Sequence, residues 1–227
     1  MRADVTKSVA LHSGDYVERY NRKPLDRVRA LARRMELDDD AELADFACGN
    51  GMLLQIVGDR AGTYHGVDFS DDFIASAREW ARSKGLNNCQ FYCEDIVKFC
   101  ADHPARFDVA TTLDFSEHID DALAVRIYAA IRSSLRPGGK LYLHTPNLDF
   151  FMERAKDVGL LKQFPEHIAV RNGNGTKDIL IQSGFDGSKI KTETIAHYNI
   201  LKVLHPLGKL PFVGKYFQAR LWIEASA

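Results

Sequence analysis

A short apolar segment, interrupted by two glycines and continued as a helical pattern, constrains the fold of this chain most. Residues 41–57 read AELADFACGNGMLLQIV, with Gly49 and Gly51 between the two apolar parts. This pattern predicts a strand, a tight turn and a helix. Glycines let backbone pass close to a ligand, and a helix start directs unpaired N–H groups at it. The segment therefore predicts an α/β fold, with either an anion site or a purely structural turn at the glycines.

Asp68 favours the ligand-binding interpretation of the turn. It lies in a second predicted strand, residues 63–69, at the interval that places a carboxylate at the tip of the strand next to the turn. A carboxylate at that place accepts hydrogen bonds from ribose hydroxyls. The turn and Asp68 together indicate a ligand that contains a nucleoside.

With these residues the sequence resembles the Rossmann-like (class I) S-adenosylmethionine-dependent methyltransferases that act on small molecules. The resemblance covers roughly residues 41–147 and rests on DFACGNG at 45–51, Asp68, CEDI at 93–96 and LRPGGKL at 135–141. Ala47 stands where this family usually has its first glycine. The resemblance implies S-adenosylmethionine as the cofactor.

The resemblance also implies which residues bind the cofactor. Asp68 would bind the ribose, Phe69 the face of the adenine and Asp95 its amino group. Tyr20, like Tyr16, would close over the methyl donor, although a tyrosine on an amphipathic segment is also typical of half-buried packing. The implied cofactor-binding residues are Tyr20, Asp45, Ala47, Gly49, Gly51, Asp68, Phe69, Asp95, Ile96 and Asp114.

Strand and helix patterns alternate along the chain, and this predicts a Rossmann-like, doubly wound, mostly parallel seven-stranded sheet with an antiparallel last strand and helices on both faces. The fourth strand is expected at the centre of the sheet. Further predicted strands are 89–95, 107–115, 140–145, 190–195 and 217–225, and predicted helices are 70–85, 120–135 and 176–185.

The whole chain, residues 1–227, is predicted to be one methyltransferase domain. An N-terminal helical arm covers 1–40, with an apolar face at Leu25, Val28, Leu31 and Met35. An insertion at 148–174, with an amphipathic helix around Phe150, Phe151, Ala155 and Val158, is expected to form a substrate lid. Residues 196–216 either pack back on the core as a hairpin connection or form an amphipathic flap over an apolar substrate or a membrane surface.

Composition narrows the class of partner. Lys and Arg total 30 against 31 Asp and Glu, a net charge of -1, which gives no overall field for nucleic acid. No apolar run is long enough for stable membrane insertion, so we expect a cytoplasmic protein with a small-molecule acceptor. The four cysteines lack Cys-x-x-Cys spacing, and no metal is predicted. The oligomeric state stays open.

Methyl transfer to a hydroxyl needs a base for the acceptor proton, and histidine has a suitable pKa. The candidate catalytic residues are His118 and His167, whereas His144 is also explained as an alternating strand residue. O-methylation of a small molecule is the first prediction, and N-methylation of a small amine is the alternative. A dinucleotide-dependent oxidoreductase and a catalytically silent binding module are the other classes, and cofactor titration separates them.

Overall fold

The computed structural model describes residues 25–58 and 60–227, in which strands alternate with helices. The strands are β1 (Glu42–Phe46), β2 (Thr63–Asp68), β3 (Cys89–Cys93), β4 (Phe107–Leu113), β5 (Leu135–Pro146), β6 (Ile190–Ile195) and β7 (Arg220–Ser226). The α-helices are α1 (Asp26–Ala32), α2 (Leu54–Val57), α3 (Asp71–Ser83), α4 (Ile96–Asp102), α5 (Asp121–Ser134), α6 (Phe151–Asp157) and α7 (Gly173–Gln182). Short 3₁₀ helices cover Ser116–His118, Gly187–Lys189, Ile200–Lys209 and Gly214–Phe217.

Within the described residues the strands form one seven-stranded sheet in the order β3-β2-β1-β4-β5-β7-β6. Strands β1, β2 and β3 pair in parallel, whereas β7 pairs antiparallel with both β5 and β6. This confirms the predicted sheet, including its antiparallel last strand and the central place of β4. The carboxyl ends of β1, β2 and β3 lie at the same edge, where ligands of such sheets bind.

Two compact units divide the described residues. The first contains the residues up to Thr111 together with Ser133–Arg136, and the second contains Thr112–Arg132 and Pro137–Ala227. The boundary therefore runs through β4 and β5. The expectation of a single domain stays a prediction.

The core of the first unit confirms the apolar patterns. Phe46 of β1 and Tyr64 of β2 are fully buried, and Val28 and Leu31 of α1 are buried on one helix face, as their spacing of three predicts. Ser70 caps helix α3, which begins at Asp71. The Ser70 side chain accepts from the N–H of Phe73, and this confirms the predicted cap. Tyr16 and Tyr20 lie outside the described residues.

Several predicted boundaries are wrong, and hydrogen bonds explain why. Strand β5 begins at Leu135 rather than Lys140, because the chain after α5 is extended at once and the N–H of Ala227 pairs with the carbonyl of Gly139 at 2.9 Å. Helix α7 begins at Gly173, three residues early, because Asn172 caps it through the N–H of Gly175. Other ends differ by a few residues, as capping and pairing, rather than apolar spacing, set them.

The burial of α6 differs from the predicted amphipathic face. Phe150 and Glu153 are buried, whereas Phe151 is exposed and Val158 is 67% exposed. Glu153 tolerates burial because Lys156 donates to its carboxylate at 2.7 Å. Among the described residues, none of the helices is both long and apolar enough to cross a membrane.

Candidate functional site

The turn after β1 has an unusual backbone. Ala47, Gly49 and Gly51 have φ values of +54°, +54° and +75°, in the left-handed region. That conformation costs an ordinary residue roughly 1–2 kcal/mol, whereas glycine adopts it freely. Ala47 is therefore strained, and this explains why a glycine is usual at its position in the family that the sequence resembles.

Asp68, at the end of β2, holds this turn in place. Its carboxylate is 6% exposed, with Oδ2 accepting from the N–H of Gly49 at 3.0 Å and Oδ1 from the N–H of Ser70 at 2.9 Å. The same carboxylate thus fastens the glycine turn and the start of α3. Both carboxylate oxygens therefore accept from backbone N–H groups.

Asp45 lies in the core of the first unit, where other side chains bind it. The hydroxyls of Tyr64 and Thr111 each donate to its carboxylate at 2.6 Å, and the residue is 3% exposed. Burial raises the pKa of Asp45 to about 6, although these two hydrogen bonds act in the opposite direction. Asp45 therefore positions the end of β1 in the described residues.

The raised pKa of Asp45 predicts a fold that loses stability as pH rises. The unfolded chain releases this proton near pH 3.8 and the folded chain near 6, so the folded state binds more protons between these values. Asp45→Asn cannot ionise, so its stability should not fall in this way. We therefore expect the difference in free energy of unfolding, variant minus wild type, to increase by about 2 kcal/mol when the pH is raised from 4 to 7, at 1.36 kcal/mol per pKa unit. Urea unfolding at both pH values measures this difference. A difference that does not change with pH would contradict the assignment.

The other predicted cofactor residues of the first unit follow β2 and β3. Phe69 is 42% exposed, so its ring is accessible to a ligand. Asp95 accepts from the N–H of Lys98 at 3.0 Å and caps α4, in which Ile96 is the first residue and is buried. The structure therefore gives Asp95 a capping role, and its contact with adenine stays a prediction.

Asp114, in the second unit, belongs to a partly buried network of polar side chains that the sequence did not reveal. Its Oδ1 lies 2.7 Å from Nδ1 of His144 and 3.3 Å from the guanidinium of Arg220. His144 is fully buried, with Nε2 at 3.5 Å from the Tyr198 hydroxyl. Asp114 has a φ of +54°, a strained conformation that surrounding contacts must hold in place. The contact of Asp114 with the cofactor stays a prediction.

The structure brings His118 and His167 together. Their ring centroids lie 5.2 Å apart with the ring planes nearly perpendicular, at 85°. Glu117, beside His118, is 1% exposed and accepts from the Thr145 hydroxyl at 3.1 Å. The two candidate catalytic histidines therefore share a site with a buried carboxylate.

Arg171 fixes the segment that carries His118, and sequence reasoning missed it. Its guanidinium donates to the carbonyls of Ser116 and Ile119, both at 2.8 Å, and contacts the carboxylate of Asp121 at 2.6 Å. No local pattern reveals such contacts, because the partners are about 50 residues away along the chain. One signal for the histidine pair was present, since Glu-His-Ile occurs twice, at 117–119 and 166–168.

Comparisons with known proteins show similarity to methyltransferases. Residues 43–139 match the family model described as a methyltransferase domain. A ubiquinone biosynthesis O-methyltransferase from Idiomarina loihiensis is 33% identical over 106 residues, 47% of this chain and 42% of that protein. The chain thus spans less than half the length of this curated relative.

Solved structures show the same fold. A SAM-dependent methyltransferase from Archaeoglobus fulgidus superposes with a TM-score of 0.68 at 18% identity, over 91% of this chain and 96% of that one. The [4+2]-cyclase SpnF superposes with a TM-score of 0.66 at 19% identity, over 89% of this chain and 80% of that one. Because an enzyme named as a cyclase has this fold too, the fold alone does not determine the reaction.

Proposed function

We propose, from the match of residues 43–139 to a methyltransferase domain, that the chain transfers a methyl group from S-adenosylmethionine to a hydroxyl of a small molecule. The observation that carries the proposal is Asp68, a nearly buried carboxylate at the end of β2 that also fastens the glycine turn after β1. The relative named as an O-methyltransferase supports a hydroxyl acceptor over an amine.

The residues of the first unit fit the cofactor. Asp68 lies at the end of β2, beside the glycine turn, where a carboxylate accepts hydrogen bonds from ribose hydroxyls. The accessible ring of Phe69 follows directly and offers an apolar face to adenine. When bound, S-adenosylmethionine supplies a methyl group on a positively charged sulfur.

The protein's part in such a reaction is to position the acceptor and to accept its proton. Methyl transfer is an in-line displacement, so holding the acceptor oxygen in line and excluding water gives most of the rate increase. His118 and His167 are the groups we propose for the proton, directly or through water. A neutral amine acceptor, the N-methylation alternative, would not require them.

Transfer of labelled methyl from S-adenosylmethionine to catechol and to a primary amine, tested separately, distinguishes these alternatives. We expect label on the catechol oxygen and none on the amine. Label on the amine alone would overturn the hydroxyl assignment. Cofactor binding without transfer to any of a panel of acceptors would favour the second candidate, a catalytically silent module that binds the cofactor. The similarity to SpnF motivates this candidate, because an enzyme named as a cyclase shares the fold.

The segment between β6 and β7 bears on where the acceptor is found. Its exposed apolar side chains include Ile200 at 79% and Phe212 at 96% exposed. From Thr194 to Ile223 the sequence has no Asp or Glu, but Lys202, Lys209, Lys215 and Arg220 are present. Because apolar side chains beside lysines fit an anionic lipid surface, we propose that residues 198–216 contact such a surface.

Vesicle sedimentation tests this contact. We expect binding to phosphatidylglycerol vesicles, weaker binding at high salt and little to phosphatidylcholine. Phe212→Ser should reduce binding several-fold, because a fully exposed aromatic ring contributes most of its apolar area to the contact. Ile181→Ser, which removes an exposed apolar side chain from α7, is the control and should not change it. If both variants bound the vesicles equally, residues 198–216 would be excluded as the lipid contact.

A further inference from the structure

Glu117, His118 and His167 form a compact group of metal-binding side chains in the second unit. One carboxylate oxygen and one ring nitrogen from each histidine lie within 4.8 Å of one another. We propose that these three residues bind one divalent transition-metal ion, for which zinc is the best fit. This differs from the expectation of no metal site, which considered only cysteine spacing.

Backbone hydrogen bonds join the two segments that carry the ligands. The carbonyl of Glu117 accepts from the N–H groups of Ile168 and Ala169, at 3.0 and 3.1 Å. Glu117 and His118 lie in the 3₁₀ helix Ser116–His118, so these bonds hold His167 beside them although it is 49 residues further along the chain. The ligands are therefore prepositioned by the fold, before any ion binds.

The hydrogen bond of His118 selects the tautomer that a metal needs. Nδ1 of His118 lies 2.8 Å from the carbonyl oxygen of Glu166. Since a carbonyl only accepts, Nδ1 must carry the proton, and Nε2 of a neutral imidazole then bears the lone pair. A backbone carbonyl on the second ring nitrogen is the usual support for a ligating histidine.

His167 provides a second imidazole. Its Nδ1 is buried and has no hydrogen-bond partner within the part of the chain that the structure describes. A buried polar atom of this kind is costly, and coordination to an ion would satisfy it.

The donor set indicates which ion fits. Two imidazoles with one carboxylate are typical of catalytic zinc and of non-haem iron, whereas magnesium and calcium prefer oxygen ligands alone. Bonds of about 2.0–2.2 Å place tetrahedral ligand atoms roughly 3.3–3.6 Å apart, so binding requires these side chains to draw together by about 1 Å. Three protein ligands leave a fourth position for water or a substrate oxygen.

The fourth position gives the ion a role in the reaction, and this part of the inference rests on the proposed function. A hydroxyl oxygen bound there releases its proton to water more readily, as bound water does. That oxygen then forms the new bond to the methyl carbon while the carbon–sulfur bond breaks and its electron pair stays on sulfur. With the ion bound, Glu117, His118 and His167 hold it and the acceptor proton leaves to water; without the ion, the two histidines keep the proposed role of accepting that proton.

Calorimetric titration of the chelator-treated full chain with Zn²⁺ alone tests the site without reference to methyl transfer. We expect one equivalent to bind, and His167→Gln and Glu117→Gln to weaken binding by at least about 100-fold, since each removes one of three ligands. His205→Gln is the matched control, because Nδ1 of His205 is also buried without a hydrogen-bond partner among the described residues but lies outside the group. It should bind zinc as wild type does.

The site would be overturned if wild type did not bind zinc. It would also be overturned if His167→Gln and Glu117→Gln bound zinc as tightly as wild type does. If a variant does not fold, the visible absorption of wild type loaded with Co²⁺ decides, because a four-coordinate spectrum supports the site and an octahedral aqua spectrum contradicts it. The proposed function has a separate test, because it would be contradicted if the wild-type chain did not bind S-adenosylmethionine. Methyl transfer that is unchanged by chelator would leave a zinc site but remove its role in the reaction.

Discussion

Asp68→Ala is expected to lower the affinity for S-adenosylhomocysteine by about 10²–10⁴-fold, because two ribose hydroxyls lose a charged acceptor worth roughly 1.5–3 kcal/mol per bond. The same carboxylate accepts from the backbone N–H groups of Gly49 and Ser70, so the substitution also loosens the turn. Asp68→Asn keeps the side-chain size and one oxygen acceptor, so it removes the charge with the loss of only one of the two backbone bonds.

Calorimetric titration with S-adenosylhomocysteine measures these affinities, with circular dichroism to confirm folding. Asp102→Asn, which removes an exposed carboxylate at the end of α4, is the charge-matched control and should bind as wild type does. Wild-type affinity in a folded Asp68→Ala would contradict the ribose assignment. An Asp68→Asn variant that binds normally would show that the charge is not needed.

Gly49→Ala should abolish measurable cofactor binding, because a methyl group enters the place where backbone must approach the ligand. The backbone also matters, since Gly49 has a φ of +54° and an alanine there is strained by roughly 1–2 kcal/mol. Valine, which is branched at Cβ, would be worse and would confuse loss of binding with loss of fold.

Gly85→Ala is the matched control for this strain. Gly85 has a φ of +67° just after α3, and an added Cβ would meet nothing within 4 Å. Both variants should therefore lose similar stability in urea unfolding, but only Gly49→Ala should lose binding of S-adenosylhomocysteine. Equal binding by the two would mean that the turn is structural alone.

Local patterns were sufficient to predict the sheet and the glycine turn. The order of strands and helices follows from apolar periodicity, and the cap at Ser70 follows from residue type and position. Boundaries were less accurate where a bond to a distant residue sets them. Gly139 belongs to β5 because it pairs with Ala227, 88 residues later.

The second unit shows what the sequence could not predict. Arg220 contacts Asp114 across 106 residues of sequence, and His118 contacts the carbonyl of Glu166 across 48. Such contacts depend on the tertiary structure, which brings distant segments of the chain together, and no rule of residue spacing predicts them. The repeated Glu-His-Ile was visible in the sequence, but only the structure shows that its two histidines meet.

The most direct test of the central claim is calorimetric titration of the wild-type chain with S-adenosylmethionine and, separately, with NAD. The account predicts one site for S-adenosylmethionine that is lost in Asp68→Ala, and no binding of NAD. Binding of NAD, or no binding of S-adenosylmethionine by the folded chain, would contradict it.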